Sequence, residues 1–562
     1  MRLPAPVPPP YDPLEWVRQP WSTRIRQVCQ AWTAQGYGAP RSIYALYLVK
    51  IAAFIAAWVF FLQRTPATAG WNPGAWMTAD VAFQKAILWA WTFEQLGLGC
   101  GSGPLTGRYL PPVGGPLYWL RPGTLRLPPS AVRAVPGLRG TRRTLVDCGL
   151  YLLLIVLLFR ALLAPELTTA ELLPPVLLLP LLSLRDRTQF LAARGEHYWV
   201  TAVLFATLDS WVPGAMAVQL AIWWWAATSK LTPHFPSVVS VMTSNSPLTS
   251  LRTRKAMVRS YPTDLRPSRF AQLSGLLGAA IEFTFPLMLV LGDGGPLTLA
   301  GLALMLVFHT YITSNMPMGA PLEWNFVVVY GGLFLWGAHG GVSPLDATGG
   351  LAVAFLLTWT VLIPLVGHLS PRHVSFLLAM RYYAGNWPYT VWALTPAAVD
   401  KLRARLPRSA PLVHDQVGRL FGEGVAVGTV GMVLGFRSMH LHGRVLHPLL
   451  RRFVPDLEDR VILDGELMAG MALGWNFGDG HLSGPDLLAA IQRVCGFELG
   501  EVRMVAVESQ PLHRWHQDWE AWDARGGRLG GGRVHVRDYR DAMPWPEPPA
   551  AEPVAEAAGG AP

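Results

Sequence analysis

Residues 43–63, IYALYLVKIAAFIAAWVFFLQ, run through twenty-one positions with a single charge, Lys50. A helix crossing a membrane needs about 20 mostly apolar residues, because the hydrocarbon core is about 30 Å thick. An amphipathic helix on a soluble surface would carry a polar face, and this stretch has none. The same pattern recurs at 145–164 (LVDCGLYLLLIVLLFRALLA), 270–292 and 350–368. Residues 296–313 and 325–340 are shorter and nearly uncharged, and 81–99 is more polar, carrying Lys85 and Glu94. The run 172–190 is interrupted by prolines, and 197–229 reads as two spans divided near Pro213 and Gly214. The expectation is an all-α polytopic membrane helical bundle of about ten transmembrane helices.

The totals agree. The chain has 562 residues, 51% hydrophobic and only 15% charged, with a mean hydropathy of +0.29. A soluble domain carries about a quarter charged residues, so too few are present to coat a water-facing surface of this size. Its 24 tryptophans fit a protein with aromatic side chains at the membrane interface. The net charge of +10 does not point to nucleic acid, because the arginines fall in loops between apolar runs. Cys29, Cys100, Cys148 and Cys495 form no CxxC pair, which speaks against a disulfide framework or a zinc site. The Pro-rich start MRLPAPVPPPYDPLEW lacks the order of a signal peptide.

Loop charges give the topology. Residues 100–144 hold seven arginines and no acid, and 230–269 are also strongly basic, whereas the connections near 164–172, 292–296 and 340–350 carry almost no basic residue. Basic loops stay cytoplasmic, and an even number of spans then puts both termini there too. From about residue 400 the apolar runs give way to mixed sequence with Gly-rich turns such as GWNFGDGHL (474–482). Residues 486–497 read as an amphipathic helix and 501–509 as a strand, while 424–436 is expected to pack against them. The predicted organisation is a cytoplasmic segment at 1–42, a helical membrane domain at 43–390, a small cytoplasmic α+β domain at 400–545 and a disordered Pro/Ala/Glu-rich tail at 546–562.

Ionisable side chains inside a membrane are costly and mark functional candidates. Lys50, Lys85, Glu94, Asp209, Glu282 and His309 qualify, with the cluster LRDRTQFLAARGEHYW at 184–199. Lys50 and Lys85 have a plain alternative, in which they snorkel or pair with a neighbouring carboxylate. Asp209 would cap a helix, His309 would be a satisfied core histidine, and the 184–199 charges would form a surface loop. Lys230 ends an apolar aromatic helix in AIWWWAATSKLTPHF (221–235), where desolvation would make it a base; the alternative is an interfacial snorkelling lysine. His481 and the pairs His440/His442 and His513/His516 are spaced for metal, but no acid–His helix motif accompanies them, and the expectation is no metal.

The run WWWAATSKL (223–231) resembles a motif of the vitamin K-dependent gamma-carboxylase superfamily, whose bacterial relatives are called horizontally transferred transmembrane domains. Phe308-His309 with Gly319, and Asp186 and Thr188 with His197-Tyr198, resemble two further motifs in the same order, so that the resemblance covers about 184–319. It implies Lys230 as the base that deprotonates a quinol-like co-substrate, with His309 and His197 as hydrogen-bond or proton-transfer partners. Asp186, Arg187, Glu282 and Asp209 are the supporting candidates. The wider chain, including RHVSFLLAMRYYAGNW (372–387), resembles an uncharacterised family of bacterial membrane proteins, which implies the bacterial inner membrane. Two functions follow. One is a membrane-embedded enzyme using a lysine base on a lipid or quinone. The other is a non-catalytic transporter, or a membrane anchor for the C-terminal domain. Membrane lipids are the expected partners, and a model in which Lys230, His309 and His197 converge on a cavity favours the enzyme.

Overall fold

The computed structural model describes residues 5–546 apart from 41, 104–105, 110–115, 133, 316–321, 375–380 and 478–479. Gly319 and the tail from residue 547 therefore lie outside the described residues. Among those described, five helices are long and apolar enough to cross a membrane: Ser42–Leu62, Leu145–Leu163, Arg269–Leu291, Pro296–Ser314 and Gly350–Leu369. A sixth candidate is the pair Glu423–Met439 and Gly443–Phe453, bent by 113° at the break. The five keep much of their apolar surface outside, with Leu48, Val49, Leu273, Leu276 and Leu277 all more than 60% exposed. Apolar surface on this scale is what a lipid-facing helix needs.

The expected count of about ten is not reached, and the reasons are local. Asp80–Gln95 has only 16 residues and is buried on nearly every side. Thr169–Arg185 holds Pro174, Pro175 and Pro180 within 17 residues. The stretch 195–229 divides into a π-helical turn Gly195–Trp199, a short helix Val200–Thr207 and a helix Val212–Ser229. Leu322–Gly332 runs into another π turn, Leu333–Ala338. These shorter and more polar elements fill the centre of the bundle, and the five apolar helices flank them.

Lys85 shows how the interior tolerates a charge. Its ammonium donates to the carbonyls of Phe61 at 3.1 Å and Ala164 at 2.9 Å. Both acceptors sit at the C-terminal ends of helices, where unpaired carbonyls and the helix dipole favour a cation. Lys85 thus plays a packing role. Lys50 lies 3.3 Å from Glu323, so both lysines found partners.

The C-terminal part is built on a five-stranded antiparallel sheet. In spatial order its strands are Val461–Asp464, Tyr389–Leu394, Val502–Val507, His516–Asp523 and Gly527–His535. The strand expected at 501–509 and the helix expected at 486–497 are present as Val502–Val507 and Pro485–Cys495. The helix stops at Gly496, whose φ of +62° allows a left-handed cap. Residues 424–436 fall within the helix Glu423–Met439, against which the N-terminal helix Trp21–Gln35 packs. Trp32 meets Phe436 at 5.2 Å between ring centroids. The arginine-rich segment 100–144 reaches the same body, with Arg108 Nη2 donating to the Gly474 carbonyl at 3.0 Å.

Candidate functional site

The helix Val212–Ser229 ends at Lys230 because Pro233 follows too closely for the helix to continue. Ile222, Ala226 and Lys230 repeat every four residues and share one face. The helix Arg269–Leu291 offers Ser274, Gly278 and Glu282 at the same interval, and Pro296–Ser314 adds Phe308, His309 and Ile312. These faces, with Phe235–Asn245 and Leu322–Gly332, surround a cavity of about 200 Å³. The C-terminal body closes it with Tyr382, Tyr383, Trp387, Phe436, His440 and Phe477. The walls are therefore rich in aromatic rings. Tyr311, on its rim, is half exposed on a membrane-facing helix.

Lys230 and Glu282 make a direct ion pair on the cavity wall, with side chains only 7% and 5% exposed. The Lys230 ammonium also lies over the rings of Phe308 and Phe235, at 5.5 and 5.7 Å from their centroids. A salt bridge this dry needs its partner to offset the desolvation of both charges.

His309 also lines the cavity, with both ring nitrogens engaged. The Trp223 indole can only donate, and its Nε1 lies 3.1 Å from His309 Nε2, which must be the unprotonated nitrogen. Nδ1 then carries the proton and donates to Asn325 Oδ1 at 2.6 Å. Asn325 is oriented in turn through Nδ2, which donates to the His309 carbonyl at 3.3 Å and to Thr313 Oγ1. His309 is a neutral, fully bonded ring, and to donate to a substrate it must exchange one of these bonds.

His197 is one side chain removed. It lies in the π turn Gly195–Trp199, and its Nδ1 accepts from Trp324 Nε1 at 3.1 Å. Trp324 lines the cavity, stacking on Tyr383 at 6.1 Å. Lys230, Glu282 and His309 are thus brought together, and His197 touches their wall from behind.

The remaining sequence candidates lie elsewhere. Asp186 caps the helix Arg187–Ala192 and is bound by Arg143 at 2.5 Å, tying a loop to a helix. Arg187 donates to the His481 carbonyl at 3.1 Å, joining the membrane helices to the C-terminal body. Asp209 is exposed before the helix Val212–Ser229, whose 18 residues put it about 27 Å from Lys230 at 1.5 Å per residue. These three are structural or remote in this geometry.

A second buried polar cluster sits behind Trp324. Glu94, Cys100 and Glu323 bring potential ligand atoms within 4.8 Å of one another. Arg194 Nε lies 3.3 Å from Glu94 and its Nη2 donates to the Cys100 sulfur at 2.5 Å, while Lys50 faces Glu323. Two cations already balance two carboxylates, so a divalent ion would enter against positive charge; the set is an ion-pair network. Gly99 belongs to it by necessity, since a Cβ there would run into both carboxylates. Of the histidines with metal-like spacing, His481 pairs with Glu508 at 2.7 Å, and His440 and His442 stack at 5.7 Å.

What the sequence reading missed are the lid residues Tyr382, Tyr383, Trp387, His440 and Phe477, and the orienting pair Trp324 and Asn325. The phrase RYYAGNW held three of them; its density of aromatic residues beside an asparagine was the available signal.

A family model described as a transmembrane protein of unknown function (DUF3556) matches residues 1–556. No curated protein and no solved structure is matched, so the gamma-carboxylase resemblance gains no support from these comparisons.

Proposed function

This chain belongs to that family of transmembrane proteins, and from that premise we propose that it is a membrane-embedded enzyme acting on an apolar co-substrate, a lipid or a quinone. The observation that carries the reading is the Lys230–Glu282 pair, buried on the wall of an aromatic cavity. The reading requires the shared proton to rest on Glu282, which leaves Lys230 as a neutral amine. In the neutral form the Lys230 amine takes a proton from a substrate O–H or acidic C–H. The new ammonium then faces the substrate anion it has made. Phe308 and Phe235 keep water from competing, and the Trp223–His309–Asn325 chain holds Trp223 in place on the wall. The half-exposed Tyr311 marks where the cavity wall meets the membrane-facing surface, the way in from lipid in this reading.

In this reading the termini face the cytoplasm of a bacterial cell and the C-terminal α+β domain forms the lid. The packing of the arginine-rich loop against that domain supports the arrangement. The test is mass spectrometry of material extracted from the purified protein. The wild type should carry an apolar molecule that Gly278→Phe, which fills the cavity, loses. Lys230→Met should retain it in unreacted form. An identical extract from Gly278→Phe and the wild type would remove the reading.

A further inference from the structure

The lid carries a histidine that the scheme above leaves idle. His440 follows the helix Glu423–Met439, is only 2% exposed and lines the cavity. Its Nδ1 lies 2.8 Å from the Phe436 carbonyl. A carbonyl oxygen can only accept, so Nδ1 is the nitrogen that donates, and in the neutral ring Nε2 presents a lone pair. Among the described residues Nε2 has no hydrogen-bond partner. The ring is held on three sides: edge-on to Phe436 at 4.6 Å and Trp387 at 5.1 Å, and parallel to His442 at 5.7 Å. Burial disfavours protonation of the imidazole, and the Arg437 guanidinium, over the rings of Phe436 and Trp387, adds to that as a nearby positive charge.

We propose that His440 is a ligand-contacting residue whose Nε2 accepts a hydrogen bond from a hydroxyl or N–H group on the molecule in the cavity. The inference rests on the reading of that cavity as a ligand site and deepens it. A wall of rings would take any hydrocarbon, but an acceptor that opens on so apolar a cavity finds its partner only in water or in a donor on the bound molecule. At His440 the cavity therefore favours alcohols, phenols or amines over ethers, esters and plain hydrocarbons of the same shape. Of the other polar groups on its walls, Lys230 is committed to Glu282 and His309 to Trp223 and Asn325, whereas the buried Trp387 Nε1 has no partner among the described residues and would donate to an acceptor on the same molecule.

The test compares 2-naphthol with 2-methoxynaphthalene, two probes of the same ring that differ in the donor. Binding to the full-length protein in detergent is followed by quenching of tryptophan emission, with Gly278→Phe as the blocked control. The wild type should bind the naphthol about tenfold more tightly, as one buried hydrogen bond warrants. His440→Phe should erase that preference while leaving ether binding in place. His440→Gln, which keeps an acceptor oxygen, should restore part of it. A preference unchanged in His440→Phe, or absent from the wild type, overturns the role of His440 and leaves the cavity reading standing. If neither probe distinguishes wild type from Gly278→Phe, the cavity reading fails and this inference falls with it.

Discussion

Removing one member of the Lys230–Glu282 pair should be far more damaging than removing both. In Glu282→Leu the Lys230 ammonium is left 7% exposed with only the faces of Phe308 and Phe235 nearby. Two such rings return about 1–2 kcal/mol, well short of the cost of an unpaired buried charge. Lys230→Met strands the carboxylate in the same way. Each single variant should therefore lose about 3–5 kcal/mol, whereas Lys230→Met with Glu282→Leu, which replaces the pair by apolar volume, should stay within about 1 kcal/mol of the wild type. The coupling between the two sites is then at least about 5 kcal/mol, above the roughly 0.5–3 kcal/mol usual for residues in contact. Unfolding in mixed dodecyl sulfate and mild detergent micelles, followed by loss of helical circular dichroism, supplies the four values. If the double variant loses the sum of the singles, or if either single loses under about 1 kcal/mol, the pair is neither dry nor coupled and the argument for its chemistry collapses.

Three further outcomes follow from the same contacts. Asp464→Asn should destabilise the C-terminal body by about 3 kcal/mol, because Asp464 binds Arg437 at 2.7 Å and also caps the helix Gly465–Leu473; limited proteolysis should then cut after residue 390 before it cuts the membrane helices. Although burial opposes it, pairing with His481 holds the Glu508 carboxyl below the usual carboxylate range. Its stabilising effect is present above the unfolded pKa of about 4.3 and is lost as pH falls through the lower folded value. An acid scan by tryptophan fluorescence should accordingly show the wild type losing stability below about pH 4, and Glu508→Gln losing less. Burial pushes the Cys495 thiol up to about 11, and Cys29, Cys100 and Cys148 are buried as well. Maleimide at neutral pH should leave the folded protein unlabelled, and rapid labelling of any of the four would contradict the packing around it.

The membrane class and the five apolar helices were legible because long uncharged runs can do little else in water. The central elements were not, since prolines in Thr169–Arg185 and the aromatic residues of Val212–Ser229 lower apolarity without exposing the helix. Of the sheet, only Val502–Val507 was read. The strand His516–Asp523 alternates buried and half-buried positions along its length, a period-two signal that its charged residues masked. In the site, Lys230 and His309 stood out as polar groups in apolar surroundings, and Glu282 was noted too. That Glu282 is the partner of Lys230, 52 positions away, follows from helix packing that no single segment encodes. His440 reaches the cavity from the far end of the chain, and its spacing to His442, from which no metal site was expected, gave no sign of it.

The ammonium of Lys85, bound to the last carbonyls of two different helices, acts as a common rivet. Sliding Ser42–Leu62 along Leu145–Leu163 would tear one of those bonds in an interior that offers no replacement, so the two must travel together. Whatever breathing admits a guest molecule must therefore proceed without those two helices sliding past each other.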